Sequence, residues 1–483
     1  MSAVFETPDR AWSADDWAAE RGRAAAWLRG RRVVASLLDN GAAFALLDEA
    51  LRDAGAVHLP LPMFFTAAQR QHALHAAGAE LLLMPASVAV AAAAAAGLPA
   101  EAWTLGGERL AALPLPHAPV ALPPGTQTLS FTSGSTGEPK GVCLSGAAMD
   151  AVRDGVVAAL APLGIQRHLS ALPYAVLLEN LAGLAAARRQ GATVLALPLA
   201  QLGLQGASQF DAARFDAVVR AQAPHSLILL PQMLRAWVAH LVRERLSAPP
   251  SLKLVAVGGA AVGAPLVEAA LRLGLPVAEG YGLTEGASVQ TLNLPGAQRP
   301  GSAGRVLPHA RLRIALDGEV LIGGPLFSAY LGEPPRAGDW WPTGDLGHVD
   351  ADGYLHLQGR KKNLLITGYG RNVSPEWVET ALRSQPAIAQ AVVLGDGQAA
   401  LAAVLWPTQA DLPDPEMSDA ALQAAVDAAN AGLPDYARVR RWQHARAPFD
   451  AASGLATPNG RPRRDAILAL HRESRFEPED LNA

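Results

Sequence analysis

The feature that most constrains the fold of this chain is a repeated alternation between short apolar runs and longer amphipathic stretches. Residues 31–38, RRVVASLL, form one apolar run, and in residues 42–55, AAFALLDEALRDAG, apolar positions recur at helical spacing before the strand-like residues 56–62, AVHLPLP. This is a β-α-β pattern. The same alternation returns in residues 192–200, 225–246, 252–274 and 276–282. It predicts an α/β fold in which parallel-rich sheets are flanked by helices.

The pattern changes after about residue 300. Residues 311–324, RLRIALDGEVLIGG, and residues 347–359, GHVDADGYLHLQG, read as β-hairpins, and the second is predicted to turn at Asp352-Gly353. A smaller α+β segment then begins near Arg360. The sequence therefore predicts a large N-terminal domain with a small β subdomain, followed by a small α+β C-terminal domain.

The overall composition suits a folded protein and excludes several classes. The chain has 483 residues, of which 50% are hydrophobic, so it is too long for one core and can fill two or three. Its formal net charge of -4 provides no basic field that would attract nucleic acid or anionic lipid. The single cysteine, Cys143, excludes an intrachain disulfide and suits a reducing compartment.

No targeting or membrane segment is predicted. Residues 1–23 carry acidic residues early and lack a charged region followed by an apolar one, so they do not read as a secretory signal. The longest apolar run, residues 87–100, is mostly alanine and falls short of the roughly 20 residues that a membrane span needs. We therefore expect a cytoplasmic protein without an integral membrane span.

The most informative local feature is the loop within residues 129–145, LSFTSGSTGEPKGVCLS. A Walker phosphate loop would need a glycine where Pro139 stands, and a hydrolase nucleophile elbow would need one where Ser133 stands, so both patterns fail. Backbone N–H groups, hydroxyls and one lysine remain, which suit the binding of a polyphosphate; the alternative is a solvated linker. The candidate residues are Thr132, Ser133, Gly134, Ser135, Thr136, Gly137 and Lys140.

Four ordered motifs resemble those of the adenylate-forming enzymes, which include acyl-CoA synthetases, aryl-acid ligases, luciferases and the adenylation domains of peptide synthetases. The motifs are FTSGSTGEPKG at 131–141, GYGLTEGAS at 280–288, the segment from TGDLG to SPEWVE at 343–379, and TPNGRPRRDAI at 457–467. The third motif is most similar to that of fatty acyl-CoA synthetases. The resemblance implies an N-terminal domain over residues 1–359, a mobile C-terminal domain over residues 360–483, and a hinge near Lys362.

The resemblance also implies two half-reactions. A carboxylic acid and Mg·ATP would give an acyl-adenylate and pyrophosphate, and a thiol would then take the acyl group. The thiol would belong to coenzyme A or to the phosphopantetheine of an acyl or peptidyl carrier protein. The implied cofactors are therefore ATP, Mg²⁺ and coenzyme A or phosphopantetheine.

The residue types within the second motif suit this chemistry. The resemblance places Gly280, Tyr281 and Gly282 in the nucleotide site. The Thr284 hydroxyl can donate a hydrogen bond to the α-phosphate, and Glu285 can hold Mg²⁺, a hard cation that prefers carboxylate oxygen. A helix cap followed by a first-turn acid is the alternative interpretation of the last two residues.

Three residues of the third motif are candidates for the ribose site and the hinge. The Asp345 carboxylate accepts hydrogen bonds and therefore suits two ribose hydroxyls, and Arg360 offers a fork of donors near ribose or phosphate. Lys362 follows as the residue about which the C-terminal domain would rotate. The alternatives are a tight-turn aspartate and a solvated basic face.

The fourth motif departs from the family pattern at one position. Most members carry the adenylation lysine just after the Asn-Gly turn, where this chain has Arg461. A guanidinium is planar and larger than an ammonium, so the two are not interchangeable. We interpret Arg461 as taking the role of the lysine, because the positive charge is kept. The alternative is that the chain is a non-catalytic nucleotide-binding protein.

The acid substrate is constrained less tightly. Glu179 and Asn180 fall near the position where amino-acid-activating domains carry an acid for the substrate ammonium, so amine recognition stays an alternative. Their neighbours at 175–178 are apolar, which favours a fatty or aryl acid. A hydrolase or transferase with a serine nucleophile in SGSTG would need a histidine base and an acid that the sequence does not place.

Overall fold

The structure is a computed structural model that describes residues 3–88, 100–132, 139–205, 209–369, 371–408, 415–450, 453–456 and 462–471. The chain divides into two compact units. The first comprises Met1–Ile314, Leu321–Thr343 and Val349–His356, and the second comprises Ala315–Val320, Gly344–His348 and Leu357–Ala483.

Strands and helices alternate through the first unit, as the sequence pattern predicts. The strands are β1 (Phe5–Thr7), β2 (Arg10–Trp12), β3 (Val33–Ser36), β4 (Val57–Pro60), β5 (Leu81–Pro85), β6 (Glu101–Leu105), β7 (Glu108–Pro114), β8 (Thr126–Thr132), β9 (Lys140–Ser145), β10 (Arg167–Leu169), β11 (Thr193–Leu195), β12 (Leu204–Gln205), β13 (Gln209–Phe210), β14 (Ser226–Leu229), β15 (Leu254–Val257), β16 (Val277–Leu283), β17 (Ser288–Leu292) and β18 (Arg305–Val306). The helices are α1 (Ala14–Leu28), α2 (Ala42–Ala54), α3 (Ala67–Ala76), α4 (Gly146–Leu160), a π-helix (Leu178–Ala185), α5 (Ala186–Arg189), α6 (Ala212–Gln222), α7 (Pro231–Arg243) and α8 (Ala264–Arg272).

The remaining strands and helices lie after residue 310. The strands are β19 (Arg311–Ile314), β20 (Glu319–Gly323), β21 (Ala329–Tyr330), β22 (Trp340–Val349), β23 (Leu355–Arg360), β24 (Leu365–Ile366), β25 (Asn372–Val373), β26 (Ile388–Leu394), β27 (Leu401–Pro407) and β28 (Val439–His444). The helices are α9 (Pro375–Arg383), α10 (Pro415–Ala431) and α11 (Arg464–His471).

Two large sheets organise the first unit. One has the strand order β18-β17-β16-β15-β14-β10-β11-β1-β2, and the other has the order β21-β9-β8-β4-β3-β5-β7-β6. Their central pairs are parallel, for example β14 with β15 and β3 with β4, which the β-α-β pattern predicts. The flanking pairs β16/β17 and β8/β9 are antiparallel because each pair is joined by a short connection rather than by a crossover helix.

The predicted hairpin turn at Asp352-Gly353 is confirmed. The backbone N–H of Gly353 donates to the Asp350 carbonyl at 3.0 Å, and Gly353 has a φ of 85°, which a side chain would strain. In the preceding hairpin the Gly318 N–H donates to the Ala315 carbonyl at 3.0 Å. These hairpins account for the change of pattern after the α/β region.

The second unit has the predicted α+β character. Strands β26, β27 and β28 form one sheet, in which β26 pairs antiparallel and β28 pairs parallel with the central strand β27. Buried apolar residues of α9 and α10 pack with this sheet in a core of their own. The α/β fold with a large N-terminal domain and a small α+β C-terminal domain is therefore confirmed. No helix within the described ranges has both the length and the apolar character needed to cross a bilayer.

Candidate active site

The candidate phosphate loop connects two paired strands. Thr132, the last residue of β8, lies opposite Lys140, the first residue of β9, in the antiparallel register. The loop therefore leaves and re-enters the sheet at adjacent positions. The Lys140 side chain is half-exposed, and its Nζ lies 3.4 Å from Glu333 Oε1. The other loop candidates, Ser133, Gly134, Ser135, Thr136 and Gly137, lie outside the described residues.

The segment that carries Gly280, Tyr281 and Gly282 is the end of β16, and it folds back at once into β17. A Cβ atom at Gly282 would lie 1.8 Å from the Ser288 carbonyl oxygen, so this close approach requires glycine. Thr284 and Glu285 occupy the one-turn 3₁₀ helix between the two strands. The sequence motif is thus a tight strand-turn-strand connection.

The backbone just after this turn is strained. Ala287 and Ser288 have φ values of 54° and 105°, in a region that residues with side chains rarely occupy. The Ser288 hydroxyl is buried and has no hydrogen-bond partner among the described residues. Strain of this kind persists only where the surrounding structure maintains it, and it is concentrated at functional sites.

Tyr330 connects the two candidate motifs within the first unit. Its hydroxyl donates a hydrogen bond to Glu285 Oε1 at 2.8 Å, and Lys140 Nζ lies 4.9 Å from the centre of its ring. Burial and the neighbouring Glu285 carboxylate raise the pKa of Tyr330, so its hydroxyl keeps its proton and acts as a donor. The sequence analysis missed Tyr330, because SAYLG carries no chemical pattern that singles it out.

The residues around Glu285 fit a magnesium ion shared with a nucleotide. Magnesium is usually bound by one or two carboxylates together with substrate phosphates, rather than by a complete protein cage. Glu285 offers one carboxylate, and the Lys140 ammonium, 4.9 Å from the centre of the Tyr330 ring, is a positive charge that suits phosphate. In the described part of the chain no group of three His, Cys, Asp or Glu side chains could hold a metal by itself.

The candidates of the third motif lie in the second unit. Arg360 Nε is 2.7 Å from Asp345 Oδ1, and the Asp345 side chain is buried. The two residues predicted to approach the ribose are thus paired with each other. Lys361 binds Asp317 and Glu319 at 2.6 and 2.8 Å, and Lys362 follows in the 3₁₀ turn Lys361–Asn363. Arg461 lies outside the described residues.

Glu179 and Asn180, the candidates for amine recognition, are both buried in the π-helix. Glu179 Oε1 lies 2.9 Å from His168 Nε2, and Glu179 Oε2 accepts a hydrogen bond from the Leu172 N–H at 3.1 Å. The Asn180 side chain forms a hydrogen bond with Asp48. Both candidates therefore stabilise the interior, where buried polar groups require partners.

A small cavity borders the same π-helix. It has a volume of about 40 Å³ and lies between α4, the π-helix and strands β10, β14, β15 and β17. Its wall is mostly apolar and includes Leu178, Ala256 and Val289, whereas His168 and Ser226 contribute polar edges. Strand β17, which bears Val289, begins directly after the turn that holds Thr284 and Glu285.

Glu279, the residue just before the second motif, is a buried acid that the sequence analysis did not single out. Its Oε2 accepts a hydrogen bond from the Gly301 N–H at 3.0 Å, and the Gly263 backbone provides a second one. Burial nevertheless raises the pKa of Glu279 from 4.5 to about 7. The folded protein therefore retains this proton over a pH range in which the unfolded chain has lost it.

This difference predicts a pH-dependent stability. As the pH rises from 4.5 to about 7, the folded state binds more protons at Glu279 than the unfolded state, so stability is lost. We expect wild type to lose on the order of 3 kcal/mol relative to Glu279→Gln over this range. Urea unfolding of both proteins at several pH values measures the difference. Parallel pH profiles for the two proteins would contradict the assignment.

Comparisons with known proteins identify the family of the chain. The profile of the family described as "AMP-binding enzyme" matches residues 2–331, and that of the "AMP-binding enzyme C-terminal domain" matches residues 362–474. A long-chain-fatty-acid–CoA ligase of Mycobacterium bovis is 34% identical over 235 residues, which cover 44% of this chain and 39% of the relative. An indoleacetate–CoA ligase of Aromatoleum aromaticum is 33% identical over 306 residues, which cover 58% and 56%. The chain thus spans about half the length of such relatives or less.

The fold is also that of solved structures. An anthranilate CoA ligase in complex with anthranoyl-AMP superposes with a TM-score of 0.78 at 19% sequence identity, and the match covers 98% of this chain and 94% of the other. At this identity the likeness concerns the fold alone.

Proposed function

Because this chain belongs to the AMP-binding enzyme family, we propose that it is an AMP-forming acid–thiol ligase. It activates a carboxylic acid with ATP to an acyl-adenylate and then transfers the acyl group to a thiol. The observation that carries the proposal is the meeting of Lys140 and Glu285, from two separate motifs, at Tyr330. Coenzyme A is the proposed thiol, and a carrier-protein phosphopantetheine is the alternative.

The first half-reaction places negative charge where these side chains can stabilise it. A carboxylate oxygen of the acid attacks the α-phosphorus of ATP, and the bond to the pyrophosphate leaving group breaks. Lys140 offsets charge on the phosphates, Thr284 donates to the α-phosphate, and Glu285 holds Mg²⁺, which supplies electrostatic stabilisation of the phosphate oxygens. Ser133, Ser135 and Thr136 complete the proposed phosphate loop.

The second half-reaction uses the same acyl-adenylate. The thiol sulfur attacks the acyl carbon, the bond to AMP breaks, and a thioester is formed. We propose that Asp345 and Arg360 bind the ribose and that Lys362 is the hinge between residues 1–359 and 360–483. Rotation about such a hinge would let one site serve both half-reactions. A reducing cytoplasm suits the single, buried Cys143.

Acid-dependent ATP–pyrophosphate exchange tests the proposed function. A panel of benzoate, phenylacetate, octanoate and palmitate covers short and long, aryl and aliphatic acids, and glycine and leucine test amino-acid activation. We expect exchange with at least one aryl or aliphatic acid, and we expect it to require Mg²⁺. Exchange only with the amino acids favours an amino-acid-activating enzyme, whereas ATP binding without any exchange favours a non-catalytic nucleotide-binding protein.

We propose that the apolar end of the acid enters the cavity beside the π-helix. Its volume of about 40 Å³ admits only a few groups of the size of water or methylene. The relatives named above act on fatty and indoleacetic acids according to their names, which agrees with an apolar acyl group. Since the wall of the cavity is close-packed, its side chains would determine the size of the acyl group.

Ala256→Leu is predicted to change this selectivity. The added branched side chain fills the cavity, so exchange with the best acid of the panel should fall by about tenfold or more through a higher KM. Exchange with the smallest accepted acid should fall less. Ala19→Leu, on the exposed face of α1, is the matched control and should retain the wild-type selectivity. An unchanged order of acids for Ala256→Leu would show that the cavity does not receive the acyl group.

A further inference from the structure

Tyr330 lies on a short strand that is tied to the strand of Lys140. In the antiparallel pair β21/β9, Tyr330 is opposite Val142 and Ala329 is opposite Cys143. The Leu331 N–H also donates to the Gly141 carbonyl at 2.8 Å. The backbone of Tyr330 is therefore fixed relative to β9, the strand that begins with Lys140.

The Tyr330 side chain is fixed by an aromatic cluster. The centre of its ring lies 4.9 Å from that of Phe327 and 6.0 Å from that of Trp341. Phe327 is fully buried, and its backbone N–H donates to the Glu285 carbonyl at 2.8 Å. The segment from Phe327 to Tyr330 thus contacts Glu285 through both its backbone and its side chain.

The Tyr330 side chain makes polar contacts with both Glu285 and Lys140. The hydroxyl donates to Glu285 Oε1, and a carboxylate has a second oxygen and further lone pairs with which it can bind a metal. The ring lies beside the Lys140 ammonium, where its face attracts a positive charge. Lys140 also contacts Glu333, but both of those side chains are about half exposed, so that ion pair is weak.

We propose that Tyr330 is a positioning residue that holds Glu285 for Mg²⁺ and Lys140 for the nucleotide phosphates. This inference rests on the proposed function. A hydrogen bond from a fixed hydroxyl limits the Glu285 carboxylate to one orientation, which reduces the reorganisation needed when the metal binds. The same ring restricts the positions that the long Lys140 side chain can occupy. Tyr330 would therefore couple Glu285 of the second motif to Lys140 of the first.

Tyr330→Phe tests the hydroxyl and preserves the ring. We expect the Mg²⁺ concentration for half-maximal ATP–pyrophosphate exchange to rise about tenfold, as for the loss of a hydrogen bond to a charged group. Calorimetric titration should show Mg·ATP binding weakened to a similar degree, with ATP binding in EDTA unchanged. The melting temperature should stay close to that of wild type.

Tyr354→Phe is the matched control. The Tyr354 hydroxyl is also engaged, since it donates to the Ala297 carbonyl at 2.6 Å, and its ring packs with Arg299 and Arg305 rather than with Glu285 or Lys140. We expect this variant to leave the Mg²⁺ dependence unchanged. If Tyr330→Phe behaves in the same way, or loses only thermal stability, Tyr330 has a structural role and the inference is wrong.

Two further measurements test Tyr330 even if a variant is less stable or the protein catalyses no exchange. In a double-mutant cycle, Tyr330→Phe combined with Glu285→Gln should weaken Mg·ATP binding less than the sum of the single changes, since the Tyr330 hydroxyl would act on the metal only through the Glu285 carboxylate, which Glu285→Gln already removes. Additive effects would overturn the inference. If wild type catalyses no exchange with any acid, the proposed function fails, whereas the Mg·ATP titrations still decide the role of Tyr330.

Discussion

Glu285→Gln is expected to lower acid-dependent ATP–pyrophosphate exchange by on the order of 10²-fold or more. The substitution keeps the shape of the side chain and its acceptor for the Tyr330 hydroxyl, but it removes the charge that would hold Mg²⁺ against the phosphates. The effect should therefore be largest at limiting Mg²⁺. Initial rates over a series of Mg²⁺ concentrations measure it, and melting temperatures show whether the fold is retained.

The matched control for this change is Glu268→Gln. Glu268 is an exposed glutamate on α8, in the same unit as Glu285, and its neutralisation should leave the exchange rate and the Mg²⁺ dependence unchanged. Near-normal turnover of Glu285→Gln at limiting Mg²⁺ would contradict the metal-binding role. The motif would then serve as a turn between β16 and β17 and no more.

Arg461→Ala is expected to depress acyl-adenylate formation by roughly 10²-fold and to leave thiol transfer from a pre-formed acyl-adenylate nearly intact. The reason is that the guanidinium would stabilise negative charge on the carboxylate and α-phosphate only during adenylation. The two half-reactions must be measured separately, the first by exchange and the second by thioester formation from the isolated adenylate. Arg461→Lys restores the residue type of most family members and should retain adenylation.

Arg463→Ala is the neighbouring control for this prediction. The Arg463 side chain is exposed and donates to the Gly454 carbonyl, and its backbone N–H, which the substitution keeps, donates to the Leu455 carbonyl, so loss of the side chain should leave both half-reactions unchanged. Arg464 is unsuitable as a control, because it anchors α11 to α9 through Glu379, with Nη2 2.8 Å from Oε2. Unchanged adenylation by Arg461→Ala would show that the lysine of the family has no functional replacement here.

The sequence alone determined the elements and the motifs. Apolar runs and helical spacing reflect only which face of a strand or helix is buried, so the β-α-β units such as β3-α2-β4 could be read from neighbouring residues. The turn at Asp352-Gly353 was predictable for the same reason, since a tight turn depends on the residues within it. The order of the four motifs likewise indicated the family.

Only the tertiary structure decided which side chains meet. Tyr330 reaches Glu285 because β21 joins the sheet beside β9, and such long-range pairing leaves no local pattern in the sequence. Glu179 is another example: the sequence offered it as a partner for a substrate amine, but the fold pairs it with His168. A buried acid must be satisfied by whatever group the packing brings within hydrogen-bond distance, and that distance is set by the fold.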